Sequence, residues 1–296
     1  MRNIERSAHK ARPAMKSVVL NWIGVLPFSI FAIAFLVLPA LSIFVSTFRD
    51  PIGHFTLQNI KDLFSPYILG AYALSIKVSI ITAIGGSIFG FLLAYAVTSG
   101  GLPKGMRTFL NTFSGVASNF AGVPLSFAFI FTMGRVGLVT VLLRQFLNID
   151  IYSSGFNLYG FWGLCLVYMY FQFPLMVLLI MPSLEGLKRE WREASANLGA
   201  SNWQYWRYVA FPILFPSLMA SVVLLFGNAF GAYATAYALT GGSLNLVPIM
   251  IGAEIRGDVL HNVGLGYALA FGMVVVMGVT IVGYNWLQIK SSRWLQ

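Results

Sequence analysis

Apolar residues along this chain collect in six long blocks separated by shorter, more polar segments. Each block is long enough to supply the roughly 20 helical residues that cross the hydrocarbon core of a bilayer. The blocks lack the short alternation of polar and apolar residues that is typical of outer-membrane barrel strands. The pattern therefore predicts an all-α integral membrane protein. Its six crossing helices are expected at Val18 to Phe48, Ala71 to Thr98, Phe109 to Met133, Leu158 to Pro182, Ile213 to Leu239 and Val263 to Ile289.

Basic residues are unevenly distributed among the segments that join the blocks. The two termini and the second and fourth loops carry Arg2, Arg6, Lys10, Arg12, Lys16, Lys104, Arg107, Lys188, Arg189, Arg192, Arg207, Lys290 and Arg293. The other loops carry only Arg49, Lys61, Arg135, Arg144 and Arg256. Because basic residues in short loops mark the cytoplasmic side, both termini are predicted to be cytoplasmic. We expect a cytoplasmic arm over residues 1–17, a membrane domain over 18–290 and a cytoplasmic tail over 291–296.

Composition excludes several other classes of protein. Hydrophobic residues make up 58% of the chain and charged residues 9%, and the formal net charge is +10. The difference between the two sides accounts for this charge, and no basic face or aromatic platform accompanies it, so no nucleic-acid partner is expected. A single cysteine, Cys165, rules out an intramolecular disulfide or a cysteine metal cluster. His9, His54 and His261 are scattered with no repeated acidic motif, so an enzyme is not expected.

The segment between the fourth and fifth blocks, at about residues 185–212, is the longest loop on the predicted cytoplasmic side. Apolar residues recur in it at intervals of four, three and four positions, which places them on one stripe of a helix surrounded by charged residues. They are Leu187, Trp191, Ala194 and Leu198. A helix of this kind projecting from a membrane bundle offers a docking stripe to a partner protein. The alternative is a helix lying flat on the membrane, anchored by tryptophans such as Trp191, Trp203 and Trp206.

A hinge is predicted directly after this stripe. Gly199 follows Leu198 at the position where a helix commonly ends in the left-handed conformation. Ser201 and Gln204 then have the spacing of a capping box, which opens a second short helix. Pro212 is expected to end that second helix. The loop is therefore predicted to be two helices joined by a hinge.

The same loop resembles the EAA signature of binding-protein-dependent importer permeases of the ATP-binding-cassette (ABC) class. That signature is Glu-Ala-Ala, three residues, Gly, and about nine residues later an apolar residue near Leu-Pro. The matching residues are Glu193-Ala194-Ser195, Gly199-Ala200, Tyr208-Val209-Ala210-Phe211-Pro212 and Pro216. Ser195 stands where Ala is usual, and Phe211 stands where Leu commonly precedes Pro, and both are small changes of shape.

The resemblance extends from about Val18 to the end and implies a six-helix type I ABC importer permease bundle in the plasma (inner) membrane of a bacterium. In that family the first helix of the loop is the coupling helix, which seats in a groove on an ATPase subunit. By this resemblance the coupling positions are Glu193, Ala194, Gly199, Ala200, Leu187, Trp191 and Leu198. The implied partners are two ATPase subunits, a second and distinct permease subunit, and an extracytoplasmic solute-binding protein. ATP and Mg would bind to the ATPase, because this chain has no phosphate loop ending in Lys-Ser or Lys-Thr.

The cargo is predicted from a second resemblance. The stretch Gly231-Ala-Tyr-Ala-Thr-Ala-Tyr-Ala-Leu-Thr-Gly-Gly, with Gly257-Asp258-Val after it, is similar to permeases for polyamine uptake of the spermidine and putrescine type. Relatives that carry phosphonate, ferric iron, thiamine or sulfate are the alternatives. An ion-coupled secondary transporter is the alternative from a different class. It would usually have acidic residues inside its crossing helices, and the six blocks contain none.

Polar residues within the blocks are candidates for lining the translocation path. They are Asn119, Gln172, Asn228, Tyr233 and Thr235, each of which could instead hydrogen-bond a neighbouring helix. Lys77 is the one charged residue inside a block. It either faces the path or extends its ammonium group to the membrane interface. In the first case it would repel a cationic cargo. Candidates for docking the binding protein are Glu254, Arg256 and Asp258, for which a local ion network is the alternative.

Overall fold

The computed structural model describes residues 25–50, 52–100, 102–153, 155–256 and 262–292. The regular secondary structure of these residues is helical. In chain order these helices are α1 (Val25–Thr47), α2 (Gln58–Asp62), α3 (Pro66–Ser99), α4 (Lys104–Asn119), α5 (Gly122–Met133), α6 (Leu138–Leu147), α7 (Phe161–Glu185), α8 (Arg189–Asn197), α9 (Asn202–Phe230), α10 (Tyr233–Thr240), α11 (Val247–Arg256) and α12 (Val263–Ser292). Six segments of this part of the chain are long and apolar enough to cross a membrane. The predicted all-α membrane bundle is confirmed.

Helix α7 forms the centre of the bundle. It packs most extensively against α3 and also contacts α4 and α9. About half of the residues of α7 are buried, among them Leu164, Tyr168, Phe171 and Ile180. Helix α12 lies farther out, where it packs against α1 and α11. The buried core is therefore built around one crossing helix, with α1 at the periphery.

Small residues allow α3 to approach α7 closely. A Cβ atom on Gly86 would lie 2.7 Å from the Cβ of Gln172. A Cβ atom on Gly90 would lie 2.5 Å both from the Cβ of Met176 and from the carbonyl oxygen of Phe173. Real Cβ atoms do not approach other atoms so closely, so these positions of α3 accept only glycine without a shift of the helices. This is the small-residue packing that holds membrane helices together in the absence of water.

The third crossing consists of two helices, α4 and α5. Arg107, near the start of α4, forms an ion pair with Glu185 at the end of α7. At the other end, the carbonyl oxygen of Met133, the last residue of α5, accepts a hydrogen bond of 2.8 Å from the hydroxyl of Tyr152, shortly before α7 begins. The two helices together therefore run antiparallel to α7. Length and hydropathy alone would select Gly122–Leu147, but a turn after Met133 separates α6 from this crossing.

Two predicted blocks differ from the observed helices at breaks inside the membrane. The third block, Phe109 to Met133, starts inside α4 and spans a break at Phe120 and Ala121. The fifth block, Ile213 to Leu239, spans a break at Gly231 and Ala232, where α9 ends and α10 begins. Hydropathy could not indicate either break, because the residues on both sides are apolar.

The expected end of a helix at Pro212 is wrong, because α9 continues through this proline. Trp206–Ala210 form a wide π-type turn that ends two residues before Pro212, and Ile33–Val37 form the same kind of turn two residues before Pro39. A proline ring in a regular helix clashes with the carbonyl of the residue four positions earlier. Here that residue lies within the wide turn, where the hydrogen-bonding pattern has already changed. The wide turn thus lets each helix accommodate its proline.

Candidate functional site

The first candidate site is the hairpin, which consists of α8, the turn at Gly199 and the first turns of α9. Gly199 has φ +79°, the left-handed conformation predicted for this position. Ser201 Oγ accepts a hydrogen bond from the Gln204 backbone N–H, and the Gln204 side chain accepts one from the Ser201 N–H at 2.7 Å. The predicted capping box is therefore present and starts α9. We call the end of the bundle that carries this hairpin the α8 end.

The apolar stripe of α8 is largely uncovered. Trp191 is 36% exposed and Leu198 is 88% exposed, and Ala194 between them is also exposed. Leu187, just before α8, is half-buried against the core cluster around α7. No residue of α8 itself is buried. The hairpin therefore presents the stripe outward rather than packing it against its own bundle.

Glu193 and Ala200, two further predicted coupling positions, belong to the hairpin's own structure. Glu193 accepts a 2.8 Å hydrogen bond from Arg189, one turn earlier on the same exposed face. Ala200 is half-buried, and its N–H donates to the carbonyl of Ser195 across the turn at 3.0 Å. An exposed pair at this spacing adds little stability, so the Glu193 carboxylate can change partner at small cost.

The second candidate site is the junction, where the breaks in the third and fifth crossings meet. The Ala232 carbonyl oxygen, in the second break, accepts a 2.6 Å hydrogen bond from the Tyr168 hydroxyl of α7. The Phe120 ring, in the first break, lies with its centroid 6.2 Å from that of Tyr170 on α7. Tyr168 is about 10 Å along α7 from its first residue. The breaks thus share one level of the bundle, on the side away from the α8 end.

Side chains satisfy the backbone groups that the two breaks set free. The Gly122 N–H, at the start of α5, donates to Thr235 Oγ1 at 2.8 Å, and Gly122 itself has φ +74°. Ser126 Oγ donates to the Thr235 carbonyl oxygen at 2.8 Å. The hydrocarbon core offers no water to pair such groups, so irregular backbone persists there only when the protein supplies partners. These bonds fix α5 to α10.

Two of the predicted path residues, Thr235 and Gln172, take part in contacts between helices. Thr235 joins α10 to α5 as described above. The fully buried Gln172 donates through Nε2 to the Leu225 carbonyl oxygen at 2.9 Å, joining α7 to α9. Its Oε1 atom has no hydrogen-bond partner in the described part of the protein. Both residues match the alternative in which polar side chains connect neighbouring helices.

The other predicted path residues are more open. Asn119, at the end of α4, is exposed and donates to the Gly115 carbonyl of its own helix at 2.9 Å. Asn228 is exposed on α9, and no bond to it is found within the described residues. The Tyr233 ring stacks on Tyr237 with centroids 5.5 Å apart. Lys77 lies apart from this group, with its Nζ 5.5 Å from the Phe161 ring centroid at the first residue of α7.

The predicted docking residues Glu254 and Arg256 do not pair with each other. Glu254 Oε2 accepts a 2.9 Å hydrogen bond from the Asn262 N–H, and the Arg256 guanidinium lies over the Tyr233 ring at 5.7 Å. Asp258 lies outside the described residues. Across the described residues, no group of three or more His, Cys, Asp or Glu side chains could hold a metal ion.

Sequence reasoning did not identify three residues that hold the junction together, namely Tyr168, Ser126 and Gly122. The sequence did contain a signal for Gly122. This residue and Pro124 stand close together inside an apolar block, and glycine and proline are the strongest markers of a local break. Tyr168 and Ser126 gave no such signal, because their hydroxyls act on backbone groups far away in the sequence.

Comparison with known proteins identifies the family. The model of the family described as "Binding-protein-dependent transport system inner membrane component" matches residues 86–293, which include α7, the hairpin and the junction. The structure resembles the crystal structure of a bacterial ABC transporter involved in the import of the acidic polysaccharide alginate, with a TM-score of 0.74 and 17% identity. That match covers 94% of this chain and 96% of the other. At this identity the likeness demonstrates the fold alone.

Curated relatives include several named for sulfate and a putative ferric transport system permease protein of Haemophilus influenzae, which is 25% identical over 258 residues. The probable sulfate transport system permease protein of Nephroselmis olivacea is 25% identical over 288 residues, covering 95% of this chain and 94% of the relative. The sulfate transport system permease protein of Salmonella typhimurium (strain LT2) is 28% identical over 179 residues, covering 60% of this chain and 61% of the relative. These names do not support the expected polyamine group, and they agree with the sulfate alternative.

The signature in the hairpin, the six-crossing fold and the family match agree with one another. The chain is an ABC importer permease rather than a member of an enzyme class, and it crosses the membrane several times. It belongs to the family of binding-protein-dependent transport system inner membrane components.

Proposed function

We propose that this permease carries a small oxyanion of the sulfate type. The observation that carries the proposal is the likeness to permeases named for sulfate, one of which aligns over nearly the whole of both chains. The sign of the charge in the membrane region also favours an anionic cargo. The nine acidic residues include none inside the predicted blocks, whereas Lys77 lies within α3. An unpaired lysine repels a polyamine and attracts a dianion.

The hairpin is the coupling element in this proposal, and the α8 end is cytoplasmic. Its apolar stripe, uncovered at Trp191, Ala194 and Leu198, would seat in a groove on an ATPase subunit that binds ATP and Mg. The left-handed turn at Gly199 would set the angle between α8 and α9, so that movement of α8 reaches the fifth crossing. Two ATPase subunits, a second permease subunit and an extracytoplasmic solute-binding protein would complete the importer, with both termini cytoplasmic. Residues 1–17 and 291–296 would flank the membrane domain.

The translocation path in this proposal passes beside the junction. Asn119, at the end of the amphipathic helix α4, and Asn228, on the apolar helix α9, expose amide groups, and exposed polar groups in hydrocarbon are costly unless they face water or a partner. They would face the space shared with the second permease subunit. Tyr233 and Thr235 hold α10 against its neighbours, and Gln172 holds α9, so the three would shape the path. Lys77, at the level of the first residue of α7, would lie near the outer entrance. Glu254, Arg256 and Asp258 would meet the binding protein on that outer face.

Uptake by the reconstituted importer tests the substrate. The permease is purified with its partner subunits, placed in vesicles and supplied with its binding protein, and ATP-dependent entry of labelled sulfate is measured. We expect unlabelled sulfate to compete and spermidine or putrescine to have no effect. Uptake of labelled spermidine with no uptake of sulfate would overturn the proposal. Uptake by this chain alone, without an ATPase, would overturn the assignment of the hairpin.

A further inference from the structure

A cavity of about 490 Å³ lies between α8 and the ends of the crossing helices. The ends of α3 and α7, the first turns of α4 and the start of α9 enclose it from the bundle side. Helix α8 borders it on the outer side without burying any of its own residues, so the cavity is a cleft that is partly open to solvent. The hairpin therefore stands off the bundle and leaves a space behind it.

The walls of this cavity are strongly basic. Four cationic side chains line it, and the described lining contains a single carboxylate, that of Glu185. The four are Arg107, Lys188, Arg189 and Arg192. Arg107 pairs with Glu185 and Arg189 pairs with Glu193 on α8, while Arg192 donates to the neutral side chain of Asn202 at 3.2 Å. A cleft lined by one sign of charge concentrates counter-ions of the opposite sign.

The two arginines of α8 that line the cavity and the apolar stripe lie on different faces of the helix. Successive residues of a helix are rotated by about 100°. Arg189 and Arg192 are therefore turned roughly 100–160° away from Trp191 and Ala194. A partner that docks on the stripe leaves the arginines and the cavity behind α8 uncovered by that contact.

We propose that this cavity binds an oxyanion, a sulfate or phosphate group, that bridges α8 to the crossing helices. Guanidinium groups match the geometry of such oxyanions and hold them through paired, charge-assisted hydrogen bonds. The hydroxyl-bearing side chains of Tyr95 and Ser99 also line the cavity. The first turn of α8 adds backbone N–H groups that no side chain caps. A bound oxyanion would neutralise the arginines and hold the hairpin at a fixed distance from the bundle.

Two sources could supply this group, and both have the same chemistry. One is the phosphate of an anionic phospholipid. Trp206, whose ring lies edge-on to Tyr95 with centroids 5.1 Å apart, borders the cavity, and aromatic rings of this kind are common at the level of lipid headgroups. The other is a free inorganic anion from the aqueous phase. The site is separate from the junction and does not depend on which solute the importer carries.

Binding can be measured on the full-length chain without any partner or transport assay. The wild type and the double variant R189Q/R192Q are placed in phosphatidylcholine nanodiscs, with and without phosphatidylglycerol. The midpoint of thermal unfolding and the hydrogen exchange of α8 are recorded, and sodium sulfate is titrated against sodium chloride of equal ionic strength. The matched control is K104Q/R207Q, which removes the same charge from the same end of the bundle but from residues that do not line the cavity.

The outcomes separate the two sources and decide the proposal. Slower hydrogen exchange of α8 in nanodiscs that contain phosphatidylglycerol identifies the lipid as the source. Slower exchange on addition of sulfate in neutral nanodiscs identifies the free anion. In either case R189Q/R192Q should weaken the apparent affinity at least about tenfold, since two charge-assisted bonds are lost, while K104Q/R207Q should not. Both arginines are exposed, so the unliganded double variant should unfold at the wild-type temperature. The proposal is overturned if neither probe protects α8 beyond chloride, or if the control loses as much affinity.

Discussion

The hairpin and the junction use their hydrogen bonds in opposite ways. At the junction, side-chain hydroxyls form hydrogen bonds with backbone groups of other helices that are far away in the sequence. These are the hydroxyls of Tyr168, Ser126 and Thr235. In the hairpin, the bonds of Ser201 and the ion pair of Glu193 are local, within four residues. One region is fixed by contacts across the bundle, while the other keeps its shape by itself.

This difference indicates which region can move as a unit. A segment whose hydrogen bonds are local keeps its backbone conformation when it shifts relative to the bundle, whereas the junction cannot shift without breaking hydrogen bonds in hydrocarbon. The hairpin is therefore suited to receive a displacement, and the continuous α9 is suited to carry it into the membrane. Substitutions in the two regions should accordingly affect different measurements.

The largest effect is expected where α3 meets α7. A leucine at Gly90 would force its Cβ to within 2.5 Å of the Phe173 carbonyl oxygen and the Met176 side chain. Overpacking costs about 1–3 kcal/mol and occasionally more, and here the clash is with backbone, which cannot move aside as a flexible side chain can. Gly90→Leu should therefore lower the thermal unfolding midpoint in detergent sharply or prevent folding. Gly70→Leu is the control on the same helix, because nothing lies within 4 Å of its added Cβ. Equal stability of the two variants would show that α3 and α7 do not approach so closely.

The next largest effect is expected in the hairpin, and it should appear in transport rather than in stability. Gly199→Leu places a side chain at φ +79°, which costs about 1–2 kcal/mol and favours another angle between α8 and α9. We expect ATP-dependent uptake to be lost while the unfolding midpoint of the membrane domain stays within a degree or two. Gly199→Asn should retain most of the uptake, because asparagine tolerates the left-handed conformation. Normal transport by the leucine variant would refute the coupling role.

The same contrast explains how much could be predicted from the sequence. The stripe, the turn at Gly199 and the capping box depend on residues within a few positions of one another, so spacing alone indicated them. The six crossings followed from hydropathy for the same reason. The junction depends on Tyr168 reaching Ala232 and on Gly122 reaching Thr235, more than sixty positions apart. The cavity behind α8 likewise combines residues from five helices, and no local pattern connects Arg107 with Arg192.

A smaller effect is expected from removing one hydroxyl at the junction. Tyr168→Phe leaves the Ala232 carbonyl oxygen without its 2.6 Å partner inside the membrane. Bonds of this kind contribute about 1 kcal/mol, so the unfolding midpoint should fall by a few degrees, with hydrogen exchange increased in the first turn of α10. Tyr237→Phe, on the exposed side of α10, should leave both measurements unchanged. The proposed role of Tyr168 is wrong if the two phenylalanine variants behave alike.

The smallest effect is expected at the capping box of the hairpin. Ser201→Ala removes the oxygen that accepts from the Gln204 N–H, and loss of such a cap costs about 1 kcal/mol. Because this bond is local, the cost should be confined to the start of α9, where amide exchange at Gln204 should increase about fivefold. Ser195→Ala is the control, since that hydroxyl donates to a carbonyl within α8 at 2.8 Å and caps no N–H. If Ser201→Ala lowered the global unfolding midpoint as much as Tyr168→Phe, the hairpin would be coupled to the core, and its independence from the bundle would be refuted.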